Sequence, residues 1–205
     1  MLKSNFSSFT DRVSIKLGIF FSRIPISPNA WTVLAIVPAL IGFYFLVNKE
    51  MLYAIVAFVI SGVIDGIDGG VARVTGRVTA LGAYLDGIVD RFVEALLLFG
   101  LLFYGLVEYF LPAYVWVALL LFFGTVMTSY TRAYADHRKA IGEEDIRKMP
   151  GLLERPERLI LIFLGMVASF YHPVYLTHFM IAATLLSVVT VLQRIFYVYS
   201  KAARS

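Results

Sequence analysis

Long apolar stretches separated by short polar segments run through the whole chain. Three stretches contain no Asp, Glu, Lys or Arg: those between Arg23 and Lys49, between Glu108 and Arg132, and between Arg158 and Arg194. A helix that crosses a bilayer needs about 20 mostly apolar residues, so each stretch has room for one. The last stretch has room for two, because the polar residues around His172 and Pro173 favour a turn within it.

Two shorter apolar runs flank a segment that is rich in Asp and Gly. Met51 to Ile64 and Ala95 to Leu106 are each too short to cross a bilayer alone, but both extend into that segment. We therefore predict an all-α integral membrane protein with six transmembrane helices, which forms a single domain over residues 1–205. The predicted spans lie at about residues 30–47, 51–75, 79–106, 112–136, 155–171 and 177–200.

Apolar residues also recur at helical spacing before the first span. The pattern predicts an amphipathic helix over about residues 6–24 that lies in the membrane interface. Its predicted apolar face consists of Phe9, Val13, Leu17, Phe20, Phe21 and Ile24. The sequence Ser27-Pro28-Asn29 then interrupts the chain and offers a start for the next helix.

The composition supports a membrane protein and narrows its chemistry. Charged residues make up only 16% of the chain, against about 25% in an ordinary soluble domain. The chain has no cysteine, so disulfides and thiolate metal sites are excluded and any metal must be bound by oxygen or imidazole. The first nine residues lack the pattern of a removable signal peptide, so we expect none. We also expect no nucleic acid among the partners.

The placement of basic residues predicts the topology. Lys and Arg accumulate on the cytoplasmic side of membrane proteins. With six spans, only Lys49 of the 18 Lys and Arg residues falls on the opposite side from the rest. We therefore predict a multi-pass protein of the cell membrane with both termini in the cytoplasm.

Four aspartates lie in the second and third predicted spans, two in each. Asp65 and Asp68 are three residues apart and Asp86 and Asp90 are four apart, so each pair shares one face of its helix. A turn near Gly76 makes the two helices antiparallel neighbours, which predicts that the four carboxylates meet at one depth on the cytoplasmic side.

Clustered carboxylates in a poorly solvated helical bundle repel one another unless a cation is present. Carboxylate oxygens suit Mg²⁺ or Mn²⁺, and four carboxylates can hold two ions. Arg73 lies two helical turns beyond Asp65, where its guanidinium can meet phosphate oxygens. Metal together with arginine predicts a phosphorylated substrate. The glycines around the aspartates fit close helix packing equally well.

Intramembrane carboxylates also serve as cation or proton sites, so a transporter or channel is the rival function from another class. All four aspartates lie toward one side of the bundle, with no matching polar residues toward the outer ends of the helices. This favours an enzyme whose site opens at one interface. A purely structural membrane protein does not explain Arg73 together with the four carboxylates.

The pattern from Asp65 to Asp90 resembles the signature of the CDP-alcohol phosphotransferases, D-x2-D-G-x2-A-R-x8-G-x3-D-x3-D, and every fixed position agrees. Six spans preceded by an interfacial helix are also similar to that family. The resemblance implies an enzyme of phospholipid synthesis that displaces CMP from a CDP-linked lipid with the hydroxyl of a second alcohol.

The resemblance also implies a role for individual residues. Asp65, Asp68 and Asp86 would be metal ligands, and Asp90 would be both a ligand and the general base. The residues expected to bind the CDP-linked lipid are Pro28, Asn29, Ala30, Trp31, Thr32, Gly69, Arg73 and Thr79. Members of the family are usually homodimers, so a homodimer is expected here.

Two further segments concern the acceptor alcohol. The runs from Ser129 to Ala133 and from Glu154 to Leu159 resemble segments of the branch that uses inositol phosphate, which includes the phosphatidylinositol phosphate and archaetidylinositol phosphate synthases. Inositol phosphate is the expected acceptor, while glycerol phosphate and serine stay open, as does the choice between a diacyl and a diether lipid donor. The candidate acceptor-phosphate ligands are Ser129, Arg132, Lys148, Arg155 and Arg158.

Overall fold

The computed structural model describes residues 14–203. Residues 6–13 of the expected interfacial helix, including Phe9 and Val13, lie outside the described residues. Within residues 14–203 every regular element is helical, apart from one isolated bridge between Tyr109 and Leu111. The prediction of an all-α protein is therefore confirmed.

The chain divides into two compact units, one up to Gly100 and one from Leu101 onward. The first helix of this unit within the described residues covers residues 14–21, and we call it α1. The further helices of the first unit are α2 Pro28–Leu34, α3 Ile36–Val47, α4 Met51–Val74 and most of α5, Ala80–Tyr104. The first three predicted spans, 30–47, 51–75 and 79–106, thus correspond to helices, and the first of them is divided into α2 and α3 at Ala35.

The start of α2 follows from local sequence. Ser27 is the N-cap, and its hydroxyl accepts a hydrogen bond from the backbone N–H of Ala30 at 3.2 Å. Pro28 occupies the first helical position, where its missing N–H costs nothing. The predicted helix start at Ser27-Pro28-Asn29 is confirmed, and the helix begins at Pro28 rather than near residue 30.

Small residues let the helices of the first unit approach closely. A Cβ added at Gly42 would lie 2.7 Å from the ring of Phe58, and one at Gly100 would lie 2.6 Å from the side chain of Leu46. The buried hydroxyl of Ser61 donates to the carbonyl of Ala35 at 2.7 Å, at the junction of α2 and α3. Glycine at these contacts permits the close helix packing that membrane bundles rely on.

Helix α1 packs against α4 with one of its faces. Leu17 and Phe21 contact a buried cluster that contains Trp31, Ile67 and Val71. The opposite face of α1 is exposed and also apolar, with Ile15, Ile19 and Phe20 on it. The predicted apolar face is therefore divided: Leu17 and Phe21 point inward, whereas Phe20 and Ile24 are exposed. Its position in the membrane interface stays a prediction.

The second unit consists of shorter helices around one long one. Its elements are α6 Ala113–Leu119, a π-helical segment Leu120–Met127, α7 Thr128–His137, α8 Glu143–Arg147, α9 Arg155–Ala168 and α10 Val174–Ala202. Helix α9 lies against α10 at Gly165, where an added Cβ would lie 2.7 Å from Phe179. Helix α10 begins directly after Pro173, three residues before the predicted start of the last span.

Among residues 14–203, four helical stretches are long and apolar enough to cross a membrane: Pro28–Val47, Met51–Val74, Ala113–His137 and Val174–Ala202. The protein is therefore a multi-pass membrane protein. Helix α5 is 25 residues long but carries Asp86, Asp90, Arg91 and Glu94. Helix α9 has only 14 residues. The predicted fifth and third spans are thus helices, and the count of six spans stays a prediction.

The loop helix α8 is tied to the end of α10 by an ion pair. The Lys201 ammonium lies 2.7 Å from Asp145, and the Tyr197 hydroxyl donates to the same carboxylate at 3.1 Å. The hydrogen bond from Lys201 holds the pKa of Asp145 below its ordinary value of 3.8. A carboxyl whose pKa is lowered on folding stabilises the fold above its unfolded pKa, and this stabilisation fades as the pH falls.

The Asp145→Asn variant is therefore expected to melt at a lower temperature than the wild type at pH 7, by a few degrees at most because the pair is partly exposed. The difference should shrink as the pH falls from about 5 to about 3. Thermal unfolding of the detergent-solubilised protein measures it. Glu143→Gln, on the exposed side of the same helix, is the control. A difference for Asp145→Asn that persists at low pH would contradict this account.

Candidate active site

Three of the four predicted aspartates come together in the first unit. Carboxylate oxygens of Asp65, Asp68 and Asp86 lie within 4.8 Å of one another. The helical spacing in α4 places the first two on one face, and the turn after α4 brings Asp86 of α5 back to them. Gly76 takes φ +68° in that turn, a conformation that favours glycine.

Asp68 is the most enclosed of the three and is held by two donors. It is 6% exposed, and its carboxylate accepts hydrogen bonds from the hydroxyl of Thr32 and the backbone N–H of Gly69. Thr32 is itself only 3% exposed and belongs to α2. Its hydroxyl also lies 3.2 Å from the carbonyl of Pro28. A side chain of α2 thus fixes the orientation of a carboxylate of α4.

The three carboxylates fit a hard divalent cation. Their oxygens lie close enough to share one ion, and like charges at this separation in a membrane helix bundle require compensation. Mg²⁺ and Mn²⁺ prefer such oxygen ligands. All three donors are carboxylate oxygens, which is one of the two ligand types that the sequence left open.

Asp90 lies outside this group of three. It follows Asp86 by one helical turn on α5 and is buried, and its carboxylate lies 3.4 Å from the guanidinium of Arg91. Arg91 also donates to the carbonyl of Gly87 at 3.2 Å, which fixes the guanidinium against its own helix. The assignment of Asp90 as ligand and base stays a prediction.

A cleft of about 270 Å³ opens beside the carboxylates. Six of the eight residues expected to bind the CDP-linked lipid line it: Pro28, Asn29, Thr32, Gly69, Arg73 and Thr79. The start of α5 is ordered by Thr79, whose hydroxyl accepts from the N–H of Gly82 at 3.0 Å. A Cβ at Gly82 would lie 3.1 Å from the side-chain oxygen of Asn29, so glycine here keeps the cleft open.

The structure does not place the other two in the cleft. Trp31 is buried in the apolar cluster with Ile67 and Val71, and Ala30 is exposed. Conversely, Arg77 and Val78 line the cleft although the sequence motif does not include them. Both residues directly follow the turn at Gly76. The direction in which this turn leads the chain places them at the cleft, and the sequence does not show that direction.

The acceptor candidates lie in the second unit and have different surroundings. Ser129 donates to the carbonyl of Thr125 at 3.2 Å, and the exposed Lys148 pairs with Glu144 at 2.5 Å. Arg158 is 2% exposed and packs against Gly124 of the π-helical segment, where an added Cβ would lie 3.0 Å from its Cδ. Arg155 is half-buried at the start of α9.

Arg194 is a basic residue that the sequence reasoning missed. It is 4% exposed, donates to the carbonyls of Thr128 and Pro150, and lies near enough to Arg132 and Arg158 for electrostatic repulsion. We call Arg132, Arg158 and Arg194 the arginine cluster. The sequence does contain a sign of its importance, because Arg194 is the first charged residue after Arg158 in a long apolar stretch. Charged residues within membrane helices are usually functional.

Comparison with known proteins identifies the family. The family model described as CDP-alcohol phosphatidyltransferase matches residues 25–193, which is most of the chain. The protein belongs to this family. It is therefore a membrane-embedded transferase of phospholipid biosynthesis, as the motif from Asp65 to Asp90 implied. Membership decides for the enzyme against the transporter or channel.

Individual members of the family are similar over most of their length. An archaetidylinositol phosphate synthase from Pyrococcus horikoshii is 30% identical over 181 residues, which is 88% of either chain. A protein of the same name from Methanothermobacter thermautotrophicus is 33% identical over 127 residues, or 60% of this chain and 57% of that one.

Solved structures of a phosphatidylinositol phosphate synthase share the fold. The phosphatidylinositol phosphate synthase of Mycobacterium tuberculosis with CDP-DAG bound has a TM-score of 0.73 and 25% identity, and covers 92% of this chain and 94% of its own. The structure of the same enzyme in complex with manganese and citrate also has a TM-score of 0.73, and the match covers 91% of this chain and 88% of that one. Together with the carboxylate cluster, this confirms the expected Mg²⁺ or Mn²⁺ cofactor; the number of ions stays a prediction.

Replacing Thr32 by Val is expected to weaken Mn²⁺ binding by about 10-fold, because groups that orient a metal ligand typically contribute that much or more. Thr32→Ser, which retains the hydroxyl, should bind Mn²⁺ nearly as the wild type does. Electron paramagnetic resonance of free Mn²⁺ in titrations of the substrate-free protein measures the affinity.

Thr75→Val is the matched control for this variant. The Thr75 hydroxyl donates to the carbonyl of Val71 at 2.7 Å at the end of α4 and does not line the cleft. Wild-type Mn²⁺ affinity in Thr32→Val, with binding lost in Asp68→Asn, would show that Asp68 needs no help from Thr32.

Proposed function

We propose that the protein transfers a phosphatidyl- or archaetidyl-type group from a CDP-linked lipid to a hydroxyl of inositol phosphate and releases CMP. The observation that carries the proposal is the cleft in the first unit, where residues of α2, α4 and α5 surround one space beside three clustered carboxylates. A basic side chain, Arg73, lines the same space, which suits a ligand that carries phosphate.

In the proposed reaction the acceptor oxygen forms a bond to the lipid-side phosphorus of the diphosphate. The bond from that phosphorus to the oxygen shared with CMP breaks, and CMP leaves with the electron pair. The acceptor hydroxyl loses its proton, and we assign Asp90 to receive it. A divalent cation bound by Asp65, Asp68 and Asp86 would supply positive charge that neutralises the diphosphate and the departing CMP.

Two observations support inositol phosphate as the acceptor. The Pyrococcus horikoshii relative is named an archaetidylinositol phosphate synthase and matches 88% of this chain. The second unit contains the arginine cluster, and converging guanidinium groups suit an acceptor that already carries a phosphate. Within the described residues, the Nε of Arg132 is buried without a hydrogen-bond partner, so the cluster has a donor to offer.

Three wider aspects of the proposal concern the protein in its membrane. We propose six spans, with α5 and α9 as the third and fifth, both termini and the active site on the cytoplasmic side, and a homodimer. The placement of all basic residues except Lys49 supports the orientation. We leave the lipid donor as a diacyl or a diether lipid, because a groove for either kind of tail would be lined by the same generic apolar residues.

The reaction is tested by CMP release from CDP-linked diacyl and diether lipids by the purified protein with Mg²⁺ or Mn²⁺. Inositol phosphate, inositol, glycerol phosphate and serine are supplied separately. We expect release that depends on inositol phosphate and that falls by at least about 100-fold in Asp90→Asn, because a general base contributes about 10²–10⁴-fold. Release with serine or glycerol phosphate but not with inositol phosphate would overturn the acceptor assignment.

Arg132→Gln is expected to raise the KM for inositol phosphate by about 10-fold, since a hydrogen bond to a charged group contributes about 1.5–3 kcal/mol. The KM for the CDP-linked lipid should stay unchanged. Arg138→Gln is the matched control, because Arg138 stacks on the exposed Tyr134 at the end of the same helix. Equal effects of both variants, or a change in the lipid KM alone, would contradict a role in acceptor binding.

A further inference from the structure

A hydrogen-bonded chain connects α1 to the arginine of the motif. The Nη2 of Arg73 donates to the hydroxyl oxygen of Ser14 at 2.8 Å, and the Ser14 hydroxyl donates to the carbonyl of Gly66 at 2.8 Å. A serine hydroxyl has one donor and two acceptor positions, so both bonds can exist together. Ser14 thus bridges the side chain of Arg73 and the backbone of the same helix at Gly66, about two turns earlier.

The backbones of α1 and α4 lie in close contact at this point. A Cβ at Gly18 would overlap the carbonyl group of Gly70, and a Cβ at Gly70 would overlap the carbonyl oxygen of Ser14. The backbone of α4 at Gly70 is therefore in contact with α1 both at Ser14 and one turn later at Gly18. Leu17 and Phe21 pack into the apolar cluster under the same helix and add to this contact. The Ser14 hydroxyl is consequently held at a fixed place relative to α4.

The fixed position matters because Arg73 has a long, flexible side chain. Arg73 is exposed and lines the cleft beside the carboxylates. A guanidinium recognises phosphate oxygens through N–H groups in one plane, so an anchor on one nitrogen sets the plane in which the others point. Ser14 supplies such an anchor from outside the motif and from a different helix.

We propose that Ser14 is a positioning residue that orients Arg73 to bind the diphosphate of the CDP-linked lipid. The inference rests on the proposed function, because it needs a diphosphate in the cleft. It adds a specific task for α1: besides covering apolar surface of α4, the helix prepares a phosphate-binding side chain before the lipid arrives. Preorganisation of this kind improves affinity by reducing the freedom lost on binding.

The test compares the binding of CDP and of cytidine to purified variants by isothermal titration calorimetry, with Mg²⁺ present. Ser14→Ala is expected to weaken CDP binding by about 3- to 10-fold, as for loss of one hydrogen bond to a charged group that is partly exposed. Cytidine, which lacks phosphate, should bind as to the wild type. Ser14→Thr retains the hydroxyl and should restore CDP affinity to within about 2-fold of the wild type.

Two controls separate positioning from general damage to the fold. Ser22→Ala removes a serine hydroxyl near the end of α1 that donates only to Ile19 in its own helix, and it should leave CDP binding unchanged. Gly70→Ala should weaken CDP binding through displacement of α1, whereas Gly62→Ala on the same helix, where an added Cβ meets nothing within 4 Å, should not.

A double-mutant cycle decides whether Ser14 acts through Arg73. In an Arg73→Gln background, Ser14→Ala should cause no further loss of CDP affinity, because the coupled partner is already gone. An additional loss in that background, or equal weakening of cytidine and CDP, would overturn the inference, as would wild-type CDP affinity in Ser14→Ala. A wild type that releases no CMP with any acceptor refutes the proposed function instead.

Discussion

Mutual repulsion of carboxylates in a poorly solvated helix bundle is the constraint on which the site depends. The carboxylate oxygens of Asp65, Asp68 and Asp86 lie close enough together to bind one cation. In a membrane protein such a cluster of negative charges needs positive charge nearby. The requirement explains both the cation and the surrounding donors. The hydroxyl of Thr32 and the N–H of Gly69 donate hydrogen bonds that orient the carboxylate of Asp68. Arg73 adds a further positive charge at the cleft.

Much of this arrangement follows from the sequence because it is local. Spacings of three and four residues put Asp65 with Asp68 and Asp86 with Asp90 on common helix faces, and a glycine at residue 76 marks the turn between them. Long apolar stretches locate the helices to within a few residues. The capping sequence at Ser27 and Pro28 marks the start of α2, because all the interactions of the cap lie between Ser27 and Ala30.

What the sequence did not reveal depends on contacts between distant residues. Thr32 and Asp68 are 36 residues apart, and Ser14 and Arg73 are 59 apart. No periodicity encodes such pairs. Trp31 illustrates the opposite case: it belongs to a segment expected to bind nucleotide, but its size and apolarity place it in the cluster beneath α1. The inward and outward sides of α1 were also indistinguishable in sequence, because both are apolar.

The hydroxyl of Thr32 has a single hydrogen and two acceptors within reach, the carboxylate of Asp68 and the carbonyl of Pro28. It can satisfy only one of them at a time. If Asp68 rotates as ligands enter or leave, the hydroxyl turns to its own helix and remains hydrogen-bonded, so no buried polar group is stranded. The two acceptors therefore let Asp68 change its orientation without leaving the buried hydroxyl of Thr32 unpaired.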